Sequence, residues 1–191
     1  MSTPAKPAYH HGDLRAALLT SAMAMLESGE PFSLRAVARR AGVSAAAPYR
    51  HFADREALES ALAAQGLRDL KADLVASGVP TQPSDLAELA IAYVGFALRR
   101  PALFRLMFGQ ECDPTNDQRV QAAAELHEML AVVMGGIFPD ADAEALAAAG
   151  WALAHGLAFL HLDGKLSATS DEEVAARVRG AFAAILSVQP G

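Results

Sequence analysis

A single cysteine, Cys112, is all the thiol in this sequence, so no internal disulfide can form and nothing points to an oxidising compartment. Aromatic residues make up only 6%, and β-branched residues are sparse and scattered, which argues against a sheet. Long apolar runs are missing as well. Each is broken well before the roughly 18 residues that a membrane span needs. The longest candidate, Ala145–Leu162, contains Trp151, His155, His161 and two glycines. The opening MSTPAKPAYHHGD lacks the basic-then-apolar pattern of a secretory signal. No Ser/Cys–His–acid spacing, phosphate loop or Cys/His metal pattern is present. His10-His11 is the one metal-like pair, and a solvated tail or a DNA-adjacent arm explains it better. These absences predict a cytoplasmic protein with no membrane partner, no cofactor, no metal and no catalytic residues.

What is present is a chain of 191 residues, 52% apolar and 20% charged, with alanine and leucine dominant. That composition is globular, and it predicts an all-α fold. The net charge of −6 is unevenly spread. Residues 1–55 hold seven Lys/Arg against four acids, and the remainder holds nine against eighteen. A basic head on an acidic body suits a protein that puts one end on a polyanion.

Periodicity and caps predict about nine helices. The first runs from Gly12 to Ser28, with Asp13 at its N-terminus, and ends at Gly29. Ser33 caps a second over Leu34–Ala41, Ser44 caps a third, and Asp54 caps a fourth over Arg55–Ala76. SGVPTQPSD is a loop by composition, and Ser84 or Asp85 opens a helix ending near Arg99-Arg100. Pro101 restarts a short one, and CDPTND is a further loop. The last three are expected over Gln118–Met134, closed by Gly135-Gly136, then Asp142–Leu162 and Asp171–Leu186.

The second and third of these form a helix-turn-helix pattern. Such a pair needs a small residue at the crossing, a residue tolerant of positive φ in the turn, and apolar pins. Ala38, Gly42 and Val43 meet those needs, with Val37 beneath and with Tyr49 and Phe52 as anchors of the second helix. A short structural hairpin satisfies the same pattern. The stretch FSLRAVARRAGVSAAAPYRHFADREAL, Phe32–Leu58, resembles the TetR-type family of bacterial repressors. YHHGDLRAALL near the start, RPALFRLMF (Arg100–Phe108) and WALAHG (Trp151–Gly156) extend the likeness over most of the chain. The last resembles the Trp-x-x-x-His-Gly signature of one C-terminal domain type in that family. The resemblance implies a three-helix DNA-binding head, residues 1–55, and a helical effector-binding and dimerisation domain, residues 56–191.

One position departs from the pattern. The core site of the reading helix, usually Leu, Ile or Val in the family, is Pro48. Proline has no N–H to close the first i→i−4 bond onto the Ser44 carbonyl, and it restricts Ala47. A tight or 3₁₀-like start is therefore expected. Ser33 and Ser44 are caps that can also present helix N-termini to phosphates. By family position, Tyr49, His51 and Arg55 reach the DNA backbone. Arg35 and Arg50 are candidates for a base edge, while Arg39 and Arg40 suit a solvated face. Ala45, Ala46 and Ala47 bear no hydrogen-bonding side chain and suit close contact with thymine methyls.

In the body, Tyr93, Phe96, Phe104, Met107, Phe108, His127, Trp151 and His155 are the candidate ligand-binding residues, a mostly apolar set with a few polar groups. Each taken alone also fits a plain core position. GWALAHGLAFLHL and VAARVRGAFAAILSV are apolar with many small residues, and the resemblance implies a homodimer through these last two helices. The function implied is a ligand-responsive regulator, most simply a repressor that a small apolar effector releases from a pseudo-palindromic operator. A helical small-molecule carrier, or an enzyme retaining the head by descent, is the alternative.

Overall fold

The computed structural model describes residues 14–31, 33–109 and 118–187. Expectations for His10-His11, Gly12-Asp13, Phe32 and the CDPTND loop fall outside them. Eight α-helices and two 3₁₀ turns make up the described residues, with no strand. The chain divides into two compact units, Met1–Leu62 and Ala63–Gly191.

The first unit starts with α1 (Leu14–Glu27) and α2 (Leu34–Arg40). Leu18, Ala22 and Met25 of α1 face Leu34, Val37 and Ala38 of α2 in one core, and Phe52, Leu58 and Leu62 are buried in the same unit. Each fully buried leucine stabilises the fold by roughly 1.5–3 kcal/mol. Ser33 caps α2 as expected, its Oγ accepting from Ala36 N at 3.2 Å. The turn after α2 is a Schellman motif: Gly42 N donates to Arg39 O and Val43 N to Ala38 O. It needs Gly42 at φ +70°, a conformation that costs other residues energy. Arg40 is drawn into the loop after α1, donating to Glu30 at 2.8 Å. A hydrogen bond from Ser28 Oγ, and then the one from Arg40, hold the Glu30 carboxyl below its ordinary range.

The segment after the turn differs from expectation. No α-helix opens at Ser44. Ala47 N bonds Ser44 O, and a 3₁₀ turn over Pro48–Arg50 follows. The physical reason is Pro48: with no N–H at residue 48, the chain closes i→i−3 from Ala47 instead. No Ser44 side-chain cap forms at this 3₁₀ turn, whose N-cap residue is Ala47. The nine expected helices become eight for this reason. Tyr49 does not anchor the segment, since it is 52% exposed. Phe52 N bonds Pro48 O, which sets Pro48 and Phe52 four apart on one face, and these two are the buried anchors. Asp54 then caps α3 (Arg55–Ala76) through Ala57 N at 2.8 Å.

In the second unit, the 3₁₀ turn Pro83–Asp85 leads into α4 (Leu86–Arg99), which is followed directly by α5 (Pro101–Phe108). The remaining helices are α6 (Gln118–Ile137), α7 (Ala143–Leu162) and α8 (Asp171–Leu186). Helix α4 is central, packing on α5, α7 and α8, while α6 packs on α7. Helix α6 runs through Gly135-Gly136, which were expected to end it. A glycine costs a helix only about 1 kcal/mol, and Gly135 lies where a Cβ would sit 3.6 Å from Ala143 Cβ. Asp69 and Asp73 on α3 pair with Arg100 and Arg99 at 2.7 and 2.8 Å. Glu88 of α4 pairs with Arg179 of α8 at 2.7 Å.

Contrary to the expectation that every apolar run is broken too early for a membrane span, helix α7 is long and apolar enough to cross one by length and composition alone, because its single histidines and glycines barely lower its mean hydropathy. It packs on α4 and α6 through Ala147, Ala154, Leu157 and Ala158. Its other side is an exposed stripe of small and apolar residues: Ala145, Ala149, Ala152, Gly156 and Leu160. Helix α8 exposes a similar stripe at Ala176, Gly180, Ala183 and Ala184.

Candidate nucleic-acid interface and ligand site

Two groups of side chains stand out, one in each unit. In the first unit, the tight turn leaves Ser44, Ala45, Ala46, Tyr49, Arg50 and His51 exposed, while Pro48 and Phe52 hold the backbone from beneath. The segment packs on α2, whose first turn carries exposed Ser33 and Arg35. Arg55 opens α3 with its side chain 63% exposed, and its Nε donates to Glu59 at 2.8 Å. Glu59 is almost fully buried, an uncommon state for a carboxylate, and the Arg55 pair compensates it. The sequence reading did not single out Glu59, although its i,i+4 spacing from Arg55 was a signal. Arg15 was passed over as well. Its guanidinium lies 5.4 Å from the centre of the Phe52 ring.

In the second unit, six of the eight expected ligand residues come together. Tyr93 meets Phe104 edge-on at 5.6 Å, Phe104 meets Phe108 at 4.9 Å, and Phe108 meets His155 at 4.6 Å. Trp151 stacks with His127 at 6.2 Å. Phe159, one helical turn beyond His155, joins them at 4.8 Å from the imidazole. The i,i+4 spacing would have identified it. Phe96 and Met107 are buried elsewhere. Arg100 lies over the Phe96 ring, and Met107 fills the space beside Gly66.

A short polar relay crosses this aromatic cluster. Trp151 Nε1–H donates to Tyr93 Oη at 3.0 Å, and Tyr93 Oη lies 2.9 Å from His155 Nδ1. Tyr93 is 3% exposed, so its hydroxyl proton needs an acceptor. His155 Nδ1 is the acceptor within reach, which fixes His155 as the tautomer with its proton on Nε2. Burial works the same way, pushing the His155 pKa down and favouring the neutral ring. It also pushes the Tyr93 phenol up.

Trp151 separates two spaces. On one side is a small apolar pocket of about 30 Å³, bordered by Leu74, Leu89, Tyr93 and Phe182, with room for about one water. On the other is an open groove of about 390 Å³ lined by Phe108, His127, Ala148, Trp151, Ala152 and His155. His127 Nδ1 faces Glu144 at 3.3 Å. Among the described residues, no cluster of His, Cys, Asp or Glu could hold a metal ion.

Comparison with known proteins fits both units. Residues 19–62 match the model described as bacterial regulatory proteins of the tetR family. Residues 86–185 match the tetracyclin repressor-like C-terminal domain. A search of curated protein sequences finds no match. Among solved structures, a protein of unknown function from Rhodococcus sp. RHA1 is 34% identical, with a TM-score of 0.78 over 93% of this chain and 97% of that one. A TetR/AcrR-family transcriptional regulator from Thermobifida fusca YX-ER1 is 17% identical, with a TM-score of 0.68 over 90% and 97%. The TetR family repressor AlkX from Dietzia sp. strain DQ12-45-1b, implicated in biodegradation of n-alkanes, is 19% identical, with a TM-score of 0.58 over 93% and 97%. The last two likenesses speak for the fold alone. With a head and a C-terminal domain that each match the family's own, the chain belongs to the tetR family of bacterial regulatory proteins and is a transcriptional regulator, not an enzyme.

Proposed function

We propose that this regulator is a cytoplasmic homodimeric repressor that binds a pseudo-palindromic operator and is released by a small, largely apolar effector. The observation that carries the reading is the exposed Tyr49-Arg50-His51 triplet, held on a rigid turn by buried Pro48 and Phe52. Phosphate contacts position such a protein and base contacts specify its site. We assign Ser33, Ser44, Tyr49, His51 and Arg55 to phosphates, and Arg35 and Arg50 to base edges. Ala45 and Ala46 form a flat surface for thymine methyls, and DNA shape supplies the rest. Functionally, residues 1–55 serve as the head and 56–191 as the effector and dimer domain.

Dimerisation through α7 and α8 is supported by exposed small residues that do not line the open groove, Ala145, Ala149 and Gly156 on α7 and Ala176, Gly180 and Ala183 on α8, which allow close helix approach. Two heads double the length of DNA read. On its WALAHG stretch, we place the chain in a family branch with a Trp-x-x-x-His-Gly C-terminal domain. Its Trp151 and His155 are the two ends of the relay through Tyr93. An effector acts by preferring a head spacing that misfits DNA, and only to the extent of its differential affinity for the two states. The test is a gel shift on the DNA upstream of the protein's own gene, at two salt concentrations. A specific complex that weakens with salt is expected. Binding there no tighter than to random DNA would sink the autoregulating-repressor reading.

A further inference from the structure

We propose that the open groove on α5, α6 and α7 takes an uncharged, flat, apolar compound that presents one hydrogen-bond acceptor, such as a ketone carbonyl, to His155 Nε2–H. The inference rests on the ligand-responsive reading above and names the chemistry of its effector.

Size and lining select this groove. The pocket of about 30 Å³ holds about one water, and a further pocket of about 240 Å³ beside Phe138, Leu153 and Leu186 is lined only by apolar residues, whereas the groove, at about 390 Å³, falls in the usual range for small-molecule sites and carries polar side chains. Its walls are flat and apolar: the Trp151 indole, the Phe108 ring, and the small side chains of Ala148 and Ala152. A planar ring slides onto such walls without displacing backbone.

The polar preference follows from the relay. Trp151 Nε1–H is already spent on Tyr93, and the Tyr93 proton is spent on His155 Nδ1. His155 Nε2–H is left as a donor with no partner among the described residues, on a ring that lines the groove. Phe104, Phe108 and Phe159 pack around that imidazole at 5.6, 4.6 and 4.8 Å, which leaves an apolar setting for the bond. Charge selects against an anion: no lysine or arginine lines the groove, and the Glu144 carboxylate beside His127 disfavours one. A cation gains that carboxylate but presents no acceptor, so it leaves His155 Nε2–H unpaired.

The experiment uses the full chain labelled with ¹⁵N. The indole N–H of Trp151, the sole tryptophan, is followed while acetophenone, ethylbenzene, benzoate or benzylamine is added. One net hydrogen bond is worth about 1 kcal/mol, so acetophenone is expected to bind about five- to tenfold tighter than ethylbenzene. Benzoate and benzylammonium should bind more weakly than acetophenone. His155→Leu should abolish the preference, so that acetophenone and ethylbenzene bind alike in that variant, while His155→Gln, which keeps an N–H donor, should restore part of the preference. Equal binding of ketone and hydrocarbon, tighter binding of either ion, or no shift with any compound overturns the proposal. Should His155→Leu fail to fold, the series on the unaltered protein still decides. A parallel gel shift separates the two readings. Binding of acetophenone through His155 without release of DNA would sink the ligand-responsive reading and leave the site. Release of DNA by compounds that leave Trp151 unmoved would do the reverse.

Discussion

Replacing Tyr93 with phenylalanine removes one oxygen from the middle of the Trp151–Tyr93–His155 relay and leaves the ring in place. That oxygen accepts one hydrogen bond and donates another, at 3.0 and 2.9 Å. Each net bond contributes about 1 kcal/mol, and a buried group left unpaired costs about 1–3 kcal/mol. Trp151 and His155 both border the open groove, so water can partly re-solvate the two freed groups. The expected destabilisation is therefore about 1–2 kcal/mol, well short of the two full penalties together. For a chain of this size, that lowers Tm by about 2–8 °C. The assay is urea unfolding followed by the fluorescence of Trp151 and by circular dichroism, which tests whether the second unit unfolds in one step. Combining Tyr93→Phe with His155→Phe should give less than the sum of the two, with a coupling of about 1 kcal/mol. A change below about 0.5 kcal/mol for Tyr93→Phe, or strictly additive effects, would refute the relay and with it the assigned His155 tautomer.

Other outcomes follow from named contacts. Gly42→Ala places a Cβ in open space at φ +70°, so only backbone strain opposes it, and a loss of about 1–2 kcal/mol is expected in thermal unfolding of the head. Arg50→Ala should relax sequence preference in a binding-site selection. Arg55→Ala should weaken all sequences alike and shallow the salt slope by about one, and uniform weakening by both would remove Arg50 from the base-reading set. The His155 pKa is depressed below 6.5 in the folded chain, so the unfolded chain binds its proton first as pH falls. The stability tied to the neutral ring is thus complete above pH 6.5 and declines as pH drops below it, and urea midpoints at pH 7.5 and 5.5 should show a loss that His155→Phe reduces. Ala149→Glu sets a charge in the exposed stripe of α7 and should convert a dimer to a monomer in sedimentation, with no fall in helix content.

The sequence alone carried the all-α class, the caps at Ser33 and Asp54 and the turn at Gly42, because these depend on neighbours within four residues. It also carried the departure at Pro48, since a missing N–H is a property of the residue itself. What Pro48 does to its surroundings was less legible. The sequence pattern made Tyr49 the anchor, whereas the tight turn buries Pro48 and turns Tyr49 outward. The helix expected to stop at Gly135-Gly136 continues to Ile137, because packing against α7 outweighs a local propensity of about 1 kcal/mol. Phe96 and Phe104 look alike in the sequence, yet one ring lies beneath Arg100 and the other beside His155. Glu59 reads as a solvent-facing acid until its burial shows that Arg55 compensates it.

Local chemistry, then, determined the caps at Ser33 and Asp54, the turn at Gly42 and the break at Pro48. Tertiary structure alone decided that Tyr93 on α4 lies between Trp151 and His155 on α7. Those partners are about 60 residues away along the chain, at separations of 58 and 62. No periodicity spans that distance. Only the packing of α4 on α7 brings the hydroxyl to the imidazole, and the burial that follows sets where the proton sits.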